Sequence, residues 1–391
     1  MYHAFPRVVV KSRLNHRVTN YCYCKYSYND KHLSFRAIIG KKLRQIVIHM
    51  ARTKLNTPFQ GIPFTRAGSI RPFERFLHEI GAPFERFLNM ARIPADLLEE
   101  PDQPIPLFPA YKFTDIAARS GGIEDFGLEV AGYARLEDFG TYGQKLLQAT
   151  TVYDYLNTGI RLLNTLTVGE KFWMEPHDGY VRFCHSTASG NPEESKTISL
   201  FSLGVTMNTL RAVCGINWAP EHIGLQSTLT RKPDMDFLAD TQFIQSAGYS
   251  YFTFPRRFLG LPFRSPDTVN ENSATTQEQA PQMLEEEFTS SVRHFVQMML
   301  PYRYTSIDDV ADAANLSKRT FQRELTESQT TYSALVEDVR IRMACNWLEQ
   351  TDMPVTEISK ALAYNDASNF TRAFKRRTGV APATYRNNFK P

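Results

Sequence analysis

Ile307-Asp308-Asp309-Val310-Ala311-Asp312-Ala313-Ala314-Asn315-Leu316-Ser317-Lys318-Arg319-Thr320-Phe321-Gln322-Arg323 is the stretch on which the reading of this chain turns. Ile307, Val310, Ala311 and Ala314 recur at helical spacing and predict a short helix with one apolar face. Asn315-Leu316-Ser317 then reads as a tight turn. Asparagine tolerates the left-handed backbone, and Ser317 is suited to cap the next helix. In that helix Phe321 and Leu325 point inward, leaving Lys318, Arg319, Gln322 and Arg323 outside. A short helix, a tight turn and a second helix with a basic exposed start is the helix-turn-helix plan, whose second helix enters the DNA major groove.

The same grammar returns further on. Ile307, Val310, Ala311, Leu316 and Ser317 match Val355, Ile358, Ser359, Tyr364 and Asn365, each 48 residues later. After one inserted residue, Phe321 and Arg323 match Phe370 and Arg372. The units are expected at 307–325 and 355–377, the second outer helix starting near Asn365 and closed by Gly379. Between them Tyr332, Leu335, Val336, Val339, Met343, Ala344 and Trp347 keep helical spacing as far as Glu349. This predicts a rod roughly 28 Å long, able to hold two recognition helices about one DNA turn (~34 Å) apart.

The residues expected to meet DNA are Ser317, Lys318, Arg319, Thr320, Gln322 and Arg323 in the first unit. In the second they are Ala367, Ser368, Asn369, Thr371, Arg372, Lys375 and Arg376. Side chains at the start of such a helix face base edges, so Ala367, Ser368, Asn369 and Arg372 suit base readout. Lys375 and Arg376, a turn later, suit phosphates. The competing reading is a solvated helix face. Six Lys/Arg against the single acid Asp366 from residue 365 to the end count against it.

On these residues the segment 289–391 resembles the DNA-binding domain of the AraC/XylS family of bacterial regulators. The resemblance is carried by Ile307, Val310, Ala311, Leu316, Ser317, Arg319, Phe321 and Arg323, then Arg340, Ile358, Leu362 and Tyr364. It continues through Phe370-x-Arg372-x-Phe374-Lys375, Gly379, Pro382, Tyr385 and Arg386. The family usually has glycine where this chain has Ala363, and another near Gln329. Each departure weakens a turn by up to about 1 kcal/mol if the backbone there is left-handed. The middle of the chain more loosely resembles the sensor of the subgroup typified by ornithine- and arginine-responsive regulators. The resemblance implies a cytoplasmic, nucleoid-associated transcription factor of activator type, with double-stranded DNA, RNA polymerase and a small-molecule effector as partners. It implies no catalytic residue, metal or cofactor. The effector, its pocket and a homodimer stay open.

Charge divides the chain. Residues 1–49 hold ten Lys/Arg and one acid, residues 50–288 hold 21 against 29, and residues 289–391 hold 14 against 11. An acidic middle and a basic end fit a protein whose last domain alone meets a polyanion. No apolar run approaches the ~20 residues that span a bilayer. Five scattered cysteines, Cys22, Cys24, Cys184, Cys214 and Cys345, suggest free thiols. Residues 1–49 lack a period and read as a disordered or non-native extension ahead of Met50, a transit peptide and a basic DNA arm being the other readings.

The fold class expected is an α+β sensor domain at 58–266, a linker at 267–283, and an all-α domain at 284–391 with two helix-turn-helix units joined by a linker helix. Pro72-Phe73-Glu74-Arg75-Phe76-Leu77 recurs as Pro83-Phe84-Glu85-Arg86-Phe87-Leu88, predicting two short packed helices. Val152, Leu156, Ile160 and Leu163 predict another helix, and Phe172–Met174, Asp178-Gly179 and Tyr180–Phe183 a hairpin. A helix through Ile198, Phe201, Val205 and Leu210 should end at Gly215, with strands at Ile223–Gln226 and Tyr249–Phe254. The order expected is helices, then β-β-α-β-α-β, with a mostly antiparallel sheet. His177, His185 and His222 read as locally satisfied polar groups. Phe172, Trp173, Tyr180, Phe183, Trp218, Tyr249 and Tyr251 line either a ligand cavity or simply the core. Two other classes compete: an enzyme targeted by its helix-turn-helix, for which Cys184-His185 is the only suggestive adjacency, and an architectural DNA binder without a ligand.

Overall fold

The computed structural model describes residues 61–123, 125–263, 287–303 and 305–389. The expectations for residues 1–49 and for the linker 267–283 lie outside the described residues.

The repeated Pro-Phe-Glu-Arg-Phe-Leu hexapeptides form α1 (Arg71–Glu79) and α2 (Phe84–Ala91). Phe73, Phe76, Phe84 and Phe87 are buried, while Glu85 and Arg86 face out. There follow α3 (Leu107–Gly121), α4 (Phe126–Ala131), α5 (Gly140–Leu147), α6 (Val152–Leu166) and, after two strands, α7 (Lys196–Cys214). The Phe73 ring knits them together, 4.7 Å from Phe201 on α7, 5.9 Å from Phe126 on α4 and 6.2 Å from Phe113 on α3. Helices α4 and α7 meet almost backbone to backbone. A Cβ at Gly127 would stand 2.1 Å from the Thr197 carbonyl oxygen, so only glycine fits there.

The hairpin predicted around Asp178-Gly179 is β3 (Lys171–His177) paired with β4 (Tyr180–Ser186). Both turn residues have positive φ, 36° and 84°. With β5 (His222–Gly224), β6 (Gln242–Ile244) and β7 (Ser250–Pro255) they make one five-stranded sheet, in the order β3-β4-β7-β5-β6. All its pairs are antiparallel except β5 with β6. Two details differ from expectation. In place of a helix between β5 and β7 there is one 3-10 turn, Asp236–Leu238, and the short strand β6. The segment after β5 carries Pro233 and a polar run without helical period, so it has no apolar face to bury as a helix. A separate pair, β1 (Phe64–Arg66) with β2 (Pro104–Pro106), gave no sequence signal because three residues with two prolines are too short to alternate.

The remainder is helical: α8 (Phe288–Met299), α9 (Ile307–Ala313), α10 (Lys318–Glu327), α11 (Tyr332–Gln350), α12 (Val355–Ala361), α13 (Ala367–Thr378) and α14 (Pro382–Phe389). The two units close their first helices alike. Asn315 and Ala363 both have φ 54°, and the next N–H reaches back to Ala311 O at 2.9 Å and to Ser359 O at 3.0 Å. Gln329 also has φ 54°. The conditional cost noted above for Ala363 and Gln329 therefore applies, since a Cβ at positive φ is strained. Ala363→Gly and Gln329→Gly should each stabilise the protein by about 0.5–1 kcal/mol. Urea unfolding checks this, and a loss of stability in both variants would show that the turns are not strained.

Candidate DNA interface

Each outer helix is built by a cap, a buried aromatic and an exposed start. Ser317 accepts from the Thr320 N–H at 3.1 Å and opens α10, and Asp366 accepts from the Asn369 N–H at 2.7 Å and opens α13. Phe321, Phe370 and Phe374 are fully buried and fix the rotation of the two helices. That rotation leaves Ser317, Lys318, Arg319, Gln322 and Arg323 exposed on α10 and its cap, and Ser368, Arg372, Lys375 and Arg376 on α13. Thr320, Ala367, Asn369 and Thr371 are half-buried. The Thr371 hydroxyl turns back to Ala367 O at 2.8 Å.

The linker helix α11 holds both units. Tyr332 Oη donates to Thr305 O at 2.7 Å beside the first. At the second, the Arg340 guanidinium lies 4.6 Å from the Tyr364 ring centroid and donates to Ala363 O at 2.9 Å. Tyr385 on α14 donates to Glu349 Oε1 at 2.7 Å.

The polar partners on α13 were not legible in advance. Asn369 Nδ2 donates to Asp366 Oδ2 at 2.6 Å, and Arg372 donates to Asn369 Oδ1 at 2.5 Å. The amide and guanidinium expected to read bases thus stand in one hydrogen-bonded line from the cap. Arg376, expected to face a phosphate, pairs in this structure with Glu337 of α11 at 2.5 Å, while Arg377 lies 3.4 Å from Asp338. On α10, Lys318 pairs with Asp308 at 3.1 Å and Arg323 with Glu324 at 3.1 Å. These pairs are exposed and hold their cations weakly.

A junction between the α+β part and the first unit was also unforeseen. Arg92 caps α2 in a left-handed conformation, φ 63°. Its guanidinium reaches Asp309 at 2.7 Å and Asp312 at 3.4 Å, both on α9. Arg303 meets the same Asp309 at 3.3 Å. Asp309 is the residue that completes the capping box with Ser306. Its burial works to raise the carboxyl, but the Ser306 bonds, with Arg303 and Arg92, outweigh it and hold Asp309 below the usual carboxylate range. Beside this junction is a cleft of about 430 Å³, where Lys112, Asp115 and Glu194 share the walls with Asn315, Leu316 and Ser317.

Comparison with known proteins agrees with this geometry. A helix-turn-helix domain family matches residues 310–388, and the arabinose-binding N-terminal domain of AraC transcription regulators matches residues 81–263. The chain belongs to the AraC family of transcription regulators. Among AraC-family relatives, the ornithine utilization regulator of Pseudomonas aeruginosa is 38% identical over 86 residues, 22% of this chain and 25% of that protein. The chain thus spans about a quarter of that relative. The regulator VqsM of the same organism is 25% identical over 277 residues, 67% of this chain and 84% of its own length. The crystal structure of the regulator CdpR from P. aeruginosa is 20% identical, covers 78% of this chain and 96% of that one, and has a TM-score of 0.33.

Because Asp366 both caps α13 and orients Asn369, Asp366→Ala should cost about 1 kcal/mol. Denaturant titration measures the cost, and amide exchange at Ser368 and Asn369 should rise with it. Unchanged exchange there would show that the carboxylate does not hold this turn.

Proposed function

We propose that this AraC-family member is a sequence-specific regulator of transcription that binds double-stranded DNA and answers to a small molecule. The observation that carries the reading is the pair of like-built units on one helix, each with its exposed polar start opposite a buried phenylalanine. In this reading residues 58–266 sense, 267–283 connect, and 284–391 bind DNA, with RNA polymerase and a cytoplasmic setting implied by the family. No helix among the described residues is long and apolar enough to cross a membrane. Against the reading of a cysteine enzyme, burial pushes the Cys184 thiol far up, and His185 Nε2 stands 3.1 Å from Glu170.

The two outer helices divide specificity from affinity. Arg372, Asn369, Arg319 and Gln322 read bases, and Lys375 meets phosphate. Arg372→Ala should cost ~1–3 kcal/mol on a selected duplex and relax preference at one or two positions. By contrast, Lys375→Ala should weaken selected and random DNA alike and lower the salt slope by about one. Titration against selected, half-site-mutated and random duplexes at several salt concentrations checks both. Parallel losses for the two variants on every duplex would sink the assignment.

The junction at Arg92 serves as a restraint on the first unit. Residues of the α+β part, Lys112, Asp115 and Glu194 among them, share the cleft with the start of α10, so in this arrangement the α+β part stands beside the turn that carries α10 to a phosphate backbone. Arg92→Ala should therefore raise DNA affinity without effector by about fivefold or more, the low end of allosteric coupling. Equal or lower affinity in the same duplex titration would remove this role.

A further inference from the structure

Within the α+β part is a cavity of about 90 Å³. Its walls are largely apolar, with Phe73, Leu107, Phe139, Leu163, Phe201 and Val205 among them. Glu170 is the one charged side chain among the residues that line it. Glu170 Oε1 accepts from the Tyr111 hydroxyl at 2.6 Å, and Oε2 lies 3.1 Å from His185 Nε2. Glu170 is 8% exposed and His185 0%. A carboxylate has about four acceptor positions, so two remain. Thr167 lines the same cavity, is 3% exposed, and its hydroxyl has no partner among the described residues.

A buried hydroxyl without a partner and a carboxylate beside hydrocarbon both cost stability. Packing does not require either, because valine and glutamine would fill much the same space. Their placement in one cavity is explained by a third group that meets them both. We propose that this cavity holds the effector on which the regulatory reading depends, and that it takes a small apolar molecule whose head donates a hydrogen bond to Glu170 beside Thr167. Amines and alcohols satisfy this, whereas carboxylates and ketones do not. An anion would face Glu170 with no Lys or Arg in the cavity wall to offset it. A ketone could accept from the Thr167 hydroxyl, but it brings no donor for the remaining acceptor positions of Glu170, where the Tyr111 proton is already in place. Burial, then the Glu170 charge, raise the Tyr111 phenol well above its usual range, so that proton stays. An apolar cavity of about 150 Å³ takes benzene, so the present one, at about 90 Å³, suits on the order of four heavy atoms.

The full chain titrated with 1-propylamine, 1-propanol, acetone and acetate, followed by ligand-observed NMR, tests the site. The amine and the alcohol should bind with Kd on the order of millimolar, as few-atom ligands do. The ketone and the anion should bind at least about tenfold more weakly. Glu170→Gln should weaken the amine about tenfold and the alcohol less than about threefold, since the amide keeps an acceptor but loses the charge. Ala110→Leu, or Val205→Phe if that variant does not fold, fills the space and should abolish binding of both donors. Binding of no probe, equal binding of all four, or binding unchanged in the filled variants overturns the proposal. Duplex titration of the same samples separates this from the regulatory reading. DNA affinity that answers to another molecule while the four probes stay out sinks this site and leaves that reading standing.

Discussion

The carboxylate of Asp309 belongs to two structures at once. It closes the capping box that starts α9, bonding the Ser306 N–H and hydroxyl at 2.8 Å each. It also receives Arg92 from the α+β part and Arg303 from the chain just before α9. A side chain 8% exposed tolerates a full charge only because four donors surround it. The first helix-turn-helix unit therefore does not begin independently of the sensor: the group that starts its helix is the group the sensor grips. Since this carboxyl titrates below its unfolded value, its contribution is present above the unfolded pKa. It is lost as pH falls through the lower folded pKa. Acid thus loosens the helix start and the junction together.

The helical end was legible because its signals are local. The cap at Ser317, the left-handed turn at Asn315 and the apolar spacing of α11 depend on residues within a few positions of each other. The 48-residue offset doubled each signal. The hairpin at Asp178-Gly179 was readable for the same reason. Failures came where distant chain segments decide the outcome. The strand β1 exists because Pro104–Pro106 lies against it, and nothing in Phe64–Arg66 announces that. The Arg92–Asp309 pair joins residues 217 positions apart.

The aromatic residues of the sheet illustrate a subtler limit. The sequence allows seven aromatics to line either a cavity or the core, and of these only Phe172 lines the cavity. Trp173 packs on Tyr249 at 4.9 Å, and Trp218 on Phe258 at 5.5 Å. The walls come mainly from helices, where leucines and phenylalanines at helical spacing look identical whether they face a void or a neighbour. Glu170 carried no signal either, because its hydrogen-bond partner His185 lies 15 residues away on β4.

Tyr111 lines both the cavity around Glu170 and the cleft beside Ser317. One residue thus belongs to the walls of both, and a molecule that bonds Glu170 also touches the hydrogen-bond partner of Tyr111. Such coupling runs in both directions with equal strength. Protein already seated on its operator would release or retain the small molecule differently from protein free in solution, by the same factor that the small molecule changes operator affinity. The concentration at which a gene responds would then depend on how much of the protein is already sequestered on DNA. Operator copy number would set the sensitivity of the switch as much as the chemistry of its cavity does.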